Sequence, residues 1–218
     1  MRGLFITFEG PDGSGKSTII KMVGEQLEKD FPQIKVDLTR EPGGTNNKIA
    51  EDIRQILLNN DTYHIDYHAE ALLFAASRSQ HIHDFILPNL EKNHIVLCDR
   101  YVHSSLVYQG YGRELGKDNI WSINAFAMHG VIPDLTVLLM ADPAIGIARI
   151  NQNSLREVNR LDKEHISFHQ KVYQAYTDII KDDPTKSIKV IDAERPLAQV
   201  FNDVYQVICA QIKNKYGI

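Results

Sequence analysis

Short apolar runs of strand length alternate along the chain with segments whose apolar residues recur at helical spacing. The apolar runs predict five β-strands, at residues 4–8, 36–39, 94–98, 135–140 and 187–191. Helical patterns fall between and after them, at 17–27, 49–57, 69–76 and 197–208. The isoleucines of 49–57 lie on one predicted helix face, and the mostly apolar helix 69–76 is expected to be largely buried.

Near-continuous apolar strands that alternate with helices predict an α/β fold, in which helices cover both faces of a five-stranded parallel sheet. Right-handed crossovers bring the carboxyl ends of such strands to one edge of the sheet, and ligands bind there. The predicted strands end at Phe8, Thr39, Cys98, Met140 and Ile191. The chemistry should therefore follow these positions.

The length of 218 residues suits a single domain over 1–218, and 43% hydrophobic with 24% charged residues excludes disorder as the main state. A formal net charge of −4 argues against a nucleic-acid partner, and no apolar run approaches the ~20 residues of a membrane span. The N-terminal apolar stretch ends at Glu9, which is too short for a secretory signal. Two cysteines, Cys98 and Cys209, make neither a disulfide framework nor a zinc pattern, so we expect a reduced, cytoplasmic protein.

Residues 10–17 match the phosphate-binding pattern G-x-x-x-x-G-K-[ST], between a predicted strand and a predicted helix. Glycines let successive backbone N–H groups turn toward phosphate oxygens, and the following helix N-terminus favours an anion. Lys16 can reach the β- and γ-phosphates, and the Ser17 hydroxyl can bind Mg²⁺. The residues expected to hold the nucleotide here are Gly10, Pro11, Asp12, Gly13, Ser14, Gly15, Lys16, Ser17 and Thr18.

Asp99 ends the apolar run Ile95-Val96-Leu97-Cys98, as the magnesium-binding aspartate does in many nucleotide-binding proteins. It is expected to hold Mg²⁺ together with Ser17, directly or through water. The alternative is a helix N-cap.

A phosphate loop alone does not name a reaction. The Asn-Lys pairs at 47–48 and 214–215 lack the aspartate of a guanine-reading motif, which argues against a GTPase. A small kinase needs arginines near the strand ends and a lid that excludes water. Candidate arginines are Arg40, Arg54, Arg78 and Arg100. Any one of them could instead be an ordinary surface arginine.

In combination, these motifs resemble the bacterial thymidylate kinases over nearly the whole chain. The residues that carry the resemblance are Phe8-Glu9-Gly10, Thr39-Arg40-Glu41-Pro42-Gly43-Gly44, Phe74-Ala75-Ala76-Ser77-Arg78, Asp99-Arg100-Tyr101, Ser104-Ser105, Tyr108-Gln109-Gly110, Pro133-Asp134-Leu135-Thr136 and Asn159-Arg160-Leu161-Asp162. The resemblance implies a P-loop NTPase-type fold and a homodimer that transfers the γ-phosphoryl group of ATP, with Mg²⁺, to dTMP.

For the acceptor, the resemblance implies that Arg54 and Arg100 grip the dTMP phosphate and that Glu41 lies near the phosphate and the metal. Two guanidinium forks on one dianion are chemically apt, because planar bidentate contacts both bind and orient.

For the nucleoside, the resemblance implies that the thymine base meets Phe74 by stacking and Arg78 at O4, near Ser105 and Gln109. Asp12 would accept a hydrogen bond from the sugar 3′-hydroxyl, and Tyr108 would crowd the 2′ position. The residues by themselves allow other roles: Phe74 could be core, Asp12 a turn residue and Tyr108 a surface aromatic.

A polar segment at about 149–163 is expected to be a mobile lid. The phosphate loop has no arginine of its own, so the resemblance points to the class of enzyme whose lid supplies arginines to the transition state, with Arg149, Arg156 and Arg160 as candidates. We expect Arg156 and Arg160 to bridge donor and acceptor phosphates in the closed state and Arg149 to bind the nucleotide. The alternative is that this segment is an ordinary solvated helix that carries scattered charges.

Phosphoryl transfer to a phosphate dianion needs no general base, so the lack of an obvious catalytic histidine is expected. The group His64, His68, His81 and His83 allows a metal site, although no complete ligand pattern accompanies it. Other nucleoside-monophosphate kinases, for dUMP, CMP or AMP, stay open as alternatives. An ATP-binding regulatory protein that transfers no phosphoryl group to an acceptor also stays open as an alternative.

Overall fold

The chain forms one five-stranded sheet, in a computed structural model that describes residues 2–59, 64–152, 160–161 and 164–217. All neighbouring strands are parallel, in the order β2-β3-β1-β4-β5. The strands are β1 Leu4–Glu9, β2 Val36–Arg40, β3 Ile95–Asp99, β4 Leu135–Met140 and β5 Ile188–Asp192. The predicted α/β fold, with a P-loop NTPase-type parallel sheet flanked by helices, is confirmed.

Helices connect the strands and cover the sheet. They are α1 Lys16–Asp30, α2 Lys48–Leu58, α3 Tyr67–His81, α4 Leu87–Glu91, α5 Val102–Ser105, α6 Lys117–Ala127, α7 Pro143–Gln152, α8 Ile166–Lys181 and α9 Leu197–Tyr216. Two π-helical stretches, Ile82–Ile86 and Leu106–Gly112, continue α3 and α5. The apolar patterns located α1, α2, α3 and α9, whereas α4 to α8 carried no pattern that we assigned.

Alternating side chains of β1 supply two apolar cores, one on each face of the sheet. Phe5 belongs to the core that includes residues of α3, α5 and α8. Leu4 and Ile6 belong to the core under α1 and α9. This two-sided burial explains why the central strands are continuous apolar runs.

One burial prediction is wrong in part. Helix α3 is not largely buried: Ala71 and Ala75 face the core, but Leu72 is 57% exposed. Along α2, Leu57 is buried while Ile49 and Ile56 are exposed. Spacing indicates an apolar stripe but not its partner, so these exposed side chains form apolar surface that the single chain does not cover.

Strand β1 lies where the order of the sheet reverses, between β3 and β4. Phe8, near the end of β1, is in register with Asp99, the last residue of β3. A crevice at the carboxyl ends of these strands is the expected ligand site of this topology. Over the residues that the structure describes, we find no helix long and apolar enough to cross a membrane.

Candidate active site

A cavity of about 550 Å³ opens at the carboxyl edge of the sheet, where the sequence predicted the chemistry. Side chains that follow β1, β2 and β3 meet there with residues of α2, α3 and α7. The predicted site residues that line it are Asp12, Gly13, Gly15, Lys16, Ser17, Thr18, Glu41, Arg54, Phe74, Arg78, Asp99, Arg100, Ser105, Tyr108, Gln109 and Arg149.

The phosphate loop connects β1 to α1 and follows the wall of this cavity. Gly15 has a left-handed backbone, with φ of 89°, directly before Lys16 begins α1. Gly13 is also left-handed and packs on Gly146 of α7 so closely that a Cβ on Gly13 would collide with the backbone of Gly146, and a Cβ on Gly146 would collide with the carbonyl oxygen of Asp12. The loop is thus fixed in a shape that leaves backbone N–H groups and a helix N-terminus for an anion.

Lys16 is buried and folds back over the loop. Its Nζ donates hydrogen bonds to the carbonyl oxygens of Gly10 (2.9 Å) and Pro11 (2.7 Å), and to Ser14 Oγ at 3.3 Å. Burial, with a smaller contribution from the nearby Arg100, lowers the pKa of Lys16 to about 8. A bound polyphosphate would supply the negative charge that this buried ammonium lacks.

Ser17 and Asp99 together form the most direct candidate for a cation site. Ser17 Oγ donates to Asp99 Oδ2 at 2.6 Å, joining the start of α1 to the end of β3. A hydroxyl and one carboxylate beside a phosphate loop fit Mg²⁺, which keeps most of its ligands as water and phosphate oxygens. The alternative interpretation of Asp99 as an N-cap is wrong, because the N-cap residue of the following helix is Tyr101.

Arg100 reaches back across the cavity mouth to the phosphate loop. Its Nη2 donates to Asp12 Oδ1 at 2.7 Å, and its Nη1 donates to the Gly10 carbonyl at 3.2 Å. Tyr108 Oη donates to the other Asp12 oxygen at 2.7 Å. Although burial alone would lower the pKa of Arg100, Tyr108 and Asp12 raise it well above the ordinary value, so the guanidinium is a permanent cation.

Arg100 also has a left-handed backbone, with φ of 70°, which an unsupported arginine would avoid. The turn is held by Glu9, a fully buried carboxylate that accepts from the backbone N–H groups of Tyr101 (2.8 Å) and Ser104 (3.0 Å). Tyr176 of α8 donates to the same carboxylate at 2.9 Å. Sequence reasoning assigned no role to Glu9 or Tyr176, although Glu9 stands inside the quoted Phe8-Glu9-Gly10 motif.

Arg78 is 2% exposed and ties together three parts of the cavity wall. Its Nε donates to Glu41 at 2.8 Å, its Nη1 to Ser105 at 3.1 Å and to Asn124, and its Nη2 to the Tyr101 carbonyl at 3.0 Å. Glu41 is held from the other side by buried His81 at 3.2 Å. Arg78 and Ser105, both predicted at the edge of the base, are therefore brought together, and Glu41, predicted near the phosphate and the metal, is bound to Arg78.

The three residues that the sequence left ambiguous have distinct surroundings. Phe74 is half-buried and lines the cavity, and it is absent from both apolar cores that the described residues form. Tyr108 is buried, so the interpretation as a surface aromatic is wrong, and burial raises the pKa of its hydroxyl. Asp12 is bound to Arg100 and Tyr108, which makes it more than a turn residue.

Besides Arg40, which is exposed and paired with Glu51, two further arginines line the cavity. Arg54 of α2 donates to the Pro42 carbonyl at 2.8 Å, beside the loop that carries Glu41. Arg149 of α7 donates to the Ala193 carbonyl at 3.0 Å, in the loop after β5. They therefore lie near different loops, one after β2 and the other after β5.

The lid prediction falls largely outside the described residues. Arg156 belongs to the 153–159 segment, of which nothing is described. Arg160 is described: its Nη2 donates to Glu70 of α3 at 2.6 Å, and its Nε donates to the Leu57 carbonyl at 2.6 Å. Arg160 therefore binds the wall of α2 and α3 in this structure.

The histidines flagged by the sequence have dissimilar environments. His81 is fully buried between Glu41 and Thr39, while His64, His68 and His83 are exposed. In the portion of the chain with assigned structure, no three His, Cys, Asp or Glu side chains are grouped as a metal site. Both cysteines are free thiols.

Comparison with known proteins gives one consistent result. The family model described as "Thymidylate kinase" matches residues 8–204. The thymidylate kinase of Enterococcus faecalis is 48% identical over 208 residues, 95% of this chain and 96% of that protein. That of Clostridium novyi is 46% identical over 203 residues, 93% of this chain and 97% of that protein. The crystal structure of thymidylate kinase from Ehrlichia chaffeensis superposes with a TM-score of 0.74 at 31% identity, covering 95% of this chain and 99% of that one.

Proposed function

This chain belongs to the thymidylate kinase family, and on that premise we propose that its cavity binds ATP and dTMP with their phosphates facing each other. The protein is an enzyme that phosphorylates dTMP to dTDP. ATP as the donor, Mg²⁺ as the cofactor and the roles of individual residues are the substance of the proposal.

The donor side is the phosphate loop. Backbone N–H groups of the 10–18 loop, in which Pro11 has none, receive the phosphates of ATP, and Lys16 exchanges its carbonyl partners for the β- and γ-phosphates. Ser17 and Asp99 would hold Mg²⁺, which would offset part of the negative charge of the phosphates. Arg149, next to the loop after β5, borders the nucleoside end of ATP.

The acceptor side is the wall formed by α2, α3 and the residues after β3. Arg54 and Arg100 hold the dTMP phosphate, and Glu41 keeps Arg78 directed at the base. Asp12 and Tyr108 face the sugar. The base is stacked by Phe74 and met at its polar edge by Arg78, Ser105 and Gln109.

Transfer of the phosphoryl group from ATP to dTMP follows directly from this placement of the two substrates. The acceptor phosphate is already a nucleophilic dianion, so the protein needs to orient it and to cancel the repulsion between two polyanions. Arg100 does both, because its guanidinium bridges the phosphate loop through Gly10 and Asp12 to the acceptor side. We assign the stabilisation of the negative charge on the transferred phosphoryl group to the 149–163 lid, in which Arg156 meets that group.

One observation carries the proposal: the Ser17–Asp99 pair, the Asp12–Arg100 pair and the aromatic ring of Phe74 all line one cavity. The test is ADP formation from ATP with each of dTMP, dUMP, CMP and AMP as acceptor, with and without Mg²⁺. We expect Mg²⁺-dependent turnover that requires dTMP. ATP turnover that ignores dTMP would indicate a regulatory ATPase, and a stronger response to another nucleotide would indicate a different monophosphate kinase.

The family resemblance also implies a homodimer and a cytoplasmic setting, and we include both in the proposal. The exposed apolar residues Leu72 on α3 and Phe126 on α6 support the dimer, because these two helices pack side by side. Two free thiols suit a reducing compartment.

A further inference from the structure

Glu70 of α3 is a fully buried carboxylate that the proposed reaction does not use. Its Oε1 accepts from Gln109 Nε2 at 2.8 Å and lies 3.5 Å from Arg113 Nε. Its other oxygen, Oε2, accepts from Arg160 Nη2 at 2.6 Å. One carboxylate thus joins a side chain that lines the cavity to a side chain at the end of the predicted lid.

The charges around Glu70 balance. Arg113 also binds Glu164 at 2.7 Å, so two carboxylates face two guanidinium groups. Arg113 is enclosed by aromatic rings, 4.5 Å from the Tyr67 centroid. A buried carboxylate must be paired, and the departure of Arg160 would leave Oε2 of Glu70 without its cation.

The contact with Glu70 also fixes which way the Gln109 amide faces. The carboxylate is an acceptor only, so the NH₂ group of Gln109 must turn toward it. The carbonyl oxygen of Gln109 is then the end left for a ligand in the cavity that Gln109 lines. A carbonyl acceptor matches the N3–H donor of thymine or uracil, whereas N3 of cytosine is itself an acceptor.

We propose that Glu70 is a positioning residue that sets the Gln109 amide to accept from N3–H of the acceptor base, and that Arg160 serves this function by holding Glu70. The proposal rests on the dTMP kinase assignment above. It gives Arg160 a role in base selection through Glu70, in place of the expected contact with the transferred phosphoryl group. The phosphate contact is left to other lid residues, of which Arg156 is the candidate.

The test measures the dissociation constants of dTMP, dUMP and dCMP by titration calorimetry, with kcat and KM where turnover occurs, for wild type, Glu70→Gln and Arg160→Gln. A neutral amide at position 70 can donate or accept, so Gln109 is no longer forced into one orientation. We expect the preference for dTMP over dCMP to fall by about ten- to a hundredfold in Glu70→Gln. It should fall in Arg160→Gln as well, because Glu70 without its cation no longer keeps its place beside Gln109. The preference for dTMP over dUMP, which share N3–H, should stay unchanged.

Glu164→Gln is the matched control, since it removes a carboxylate from the same cluster without touching Gln109 or Arg160. It should keep the dTMP:dCMP preference. An unchanged preference in Glu70→Gln would overturn the proposal. So would Arg160→Gln that lowers kcat equally for every acceptor, because that pattern assigns Arg160 to the phosphates. If Glu70→Gln fails to fold by circular dichroism, Arg160→Gln, whose side chain is partly exposed, carries the test. A wild type that does not phosphorylate dTMP would instead reject the proposed function.

Discussion

Phe74 is the residue at which substrate stacking and core packing make opposite predictions. A core phenylalanine costs about 3–5 kcal/mol in free energy of unfolding when it is cut to alanine. Phe74 is half-buried against the cavity, so Phe74→Ala should cost only about 1 kcal/mol while KM for dTMP rises at least about tenfold. Urea unfolding and steady-state kinetics measure the two effects separately.

Phe8, fully buried in the sheet core, provides the comparison. Phe8→Ala should show the full core cost in the same urea experiment. If Phe74→Ala lost as much stability as Phe8→Ala and its KM for dTMP were unchanged, Phe74 would be a core residue and not a residue that stacks on the base.

For single residues, the sequence was informative about a residue's role wherever that role follows from its neighbours in the chain. The phosphate loop and Asp99 are each fixed by a strand end and a local motif. The partners of Arg160 and Tyr176 were not predictable, because Arg160 meets Glu70 across 90 residues and Tyr176 meets Glu9 across 167. Such contacts are set by how helices pack, which a single sequence does not specify.

At the scale of elements, the turn between α8 and β5 depends on Asp183. Its Oδ2 accepts from the backbone N–H groups of Ser187 (2.7 Å) and Ile188 (3.1 Å), and its Oδ1 interacts with buried His103 at 3.0 Å. Although partial burial by itself raises the pKa of Asp183, hydrogen bonds from His103 and Thr185 lower it well below the ordinary value.

The sign of the resulting pH dependence follows from that shift. The unfolded chain, with an aspartate pKa of about 3.9, binds this proton more readily than the folded chain, so the ionised carboxylate stabilises the fold above that pH. Asp183→Asn should lower the free energy of unfolding by roughly 1.5–3 kcal/mol at pH 7. Protonation of Asp183 removes the same stabilisation from the wild type. The difference in free energy of unfolding between wild type and Asp183→Asn should therefore narrow as the pH falls below about 4.

Asp182→Asn is the control, since Asp182 is the adjacent residue and its exposed side chain pairs with Lys117 at the surface. It should change the free energy of unfolding by less than about 1 kcal/mol. Thermal and urea unfolding from pH 3 to 7 measure both variants. A gap between wild type and Asp183→Asn that stays constant over this range would contradict the assigned pKa shift.

Helices and strands could be predicted where the spacing of the apolar residues agrees with the way the fold buries them. Strand β4 was located at both ends, and β1 was extended by Glu9 alone. Residues 102–127 fold as two helices of 4 and 11 residues with a π-helical stretch of 7 residues between them, and pieces of this length are too short to show a clear period. The left-handed turn at Arg100 lies just before this segment, and no local pattern in the sequence indicates it.

At the scale of the whole molecule, the apolar surface of α3 and α6 makes the last prediction. Phe126 is 88% exposed on α6, and Leu72 is 57% exposed on the neighbouring α3. Large exposed apolar side chains on adjacent helices are costly in water unless a partner covers them, and the proposed partner is a second copy of the chain. Light scattering at micromolar concentration should therefore give twice the chain mass of 24.8 kDa.

A single charge should separate the two copies. Phe126→Asp would place a carboxylate in the centre of the proposed apolar contact, where its desolvation opposes association, so light scattering should give the monomer mass. Leu197→Asp is the control, because Leu197 is 49% exposed on α9, across the sheet from α3. That variant should stay dimeric. A monomeric wild type, or dissociation by both variants alike, would show that α3 and α6 do not form the interface, and the exposed phenylalanine would then need a different partner.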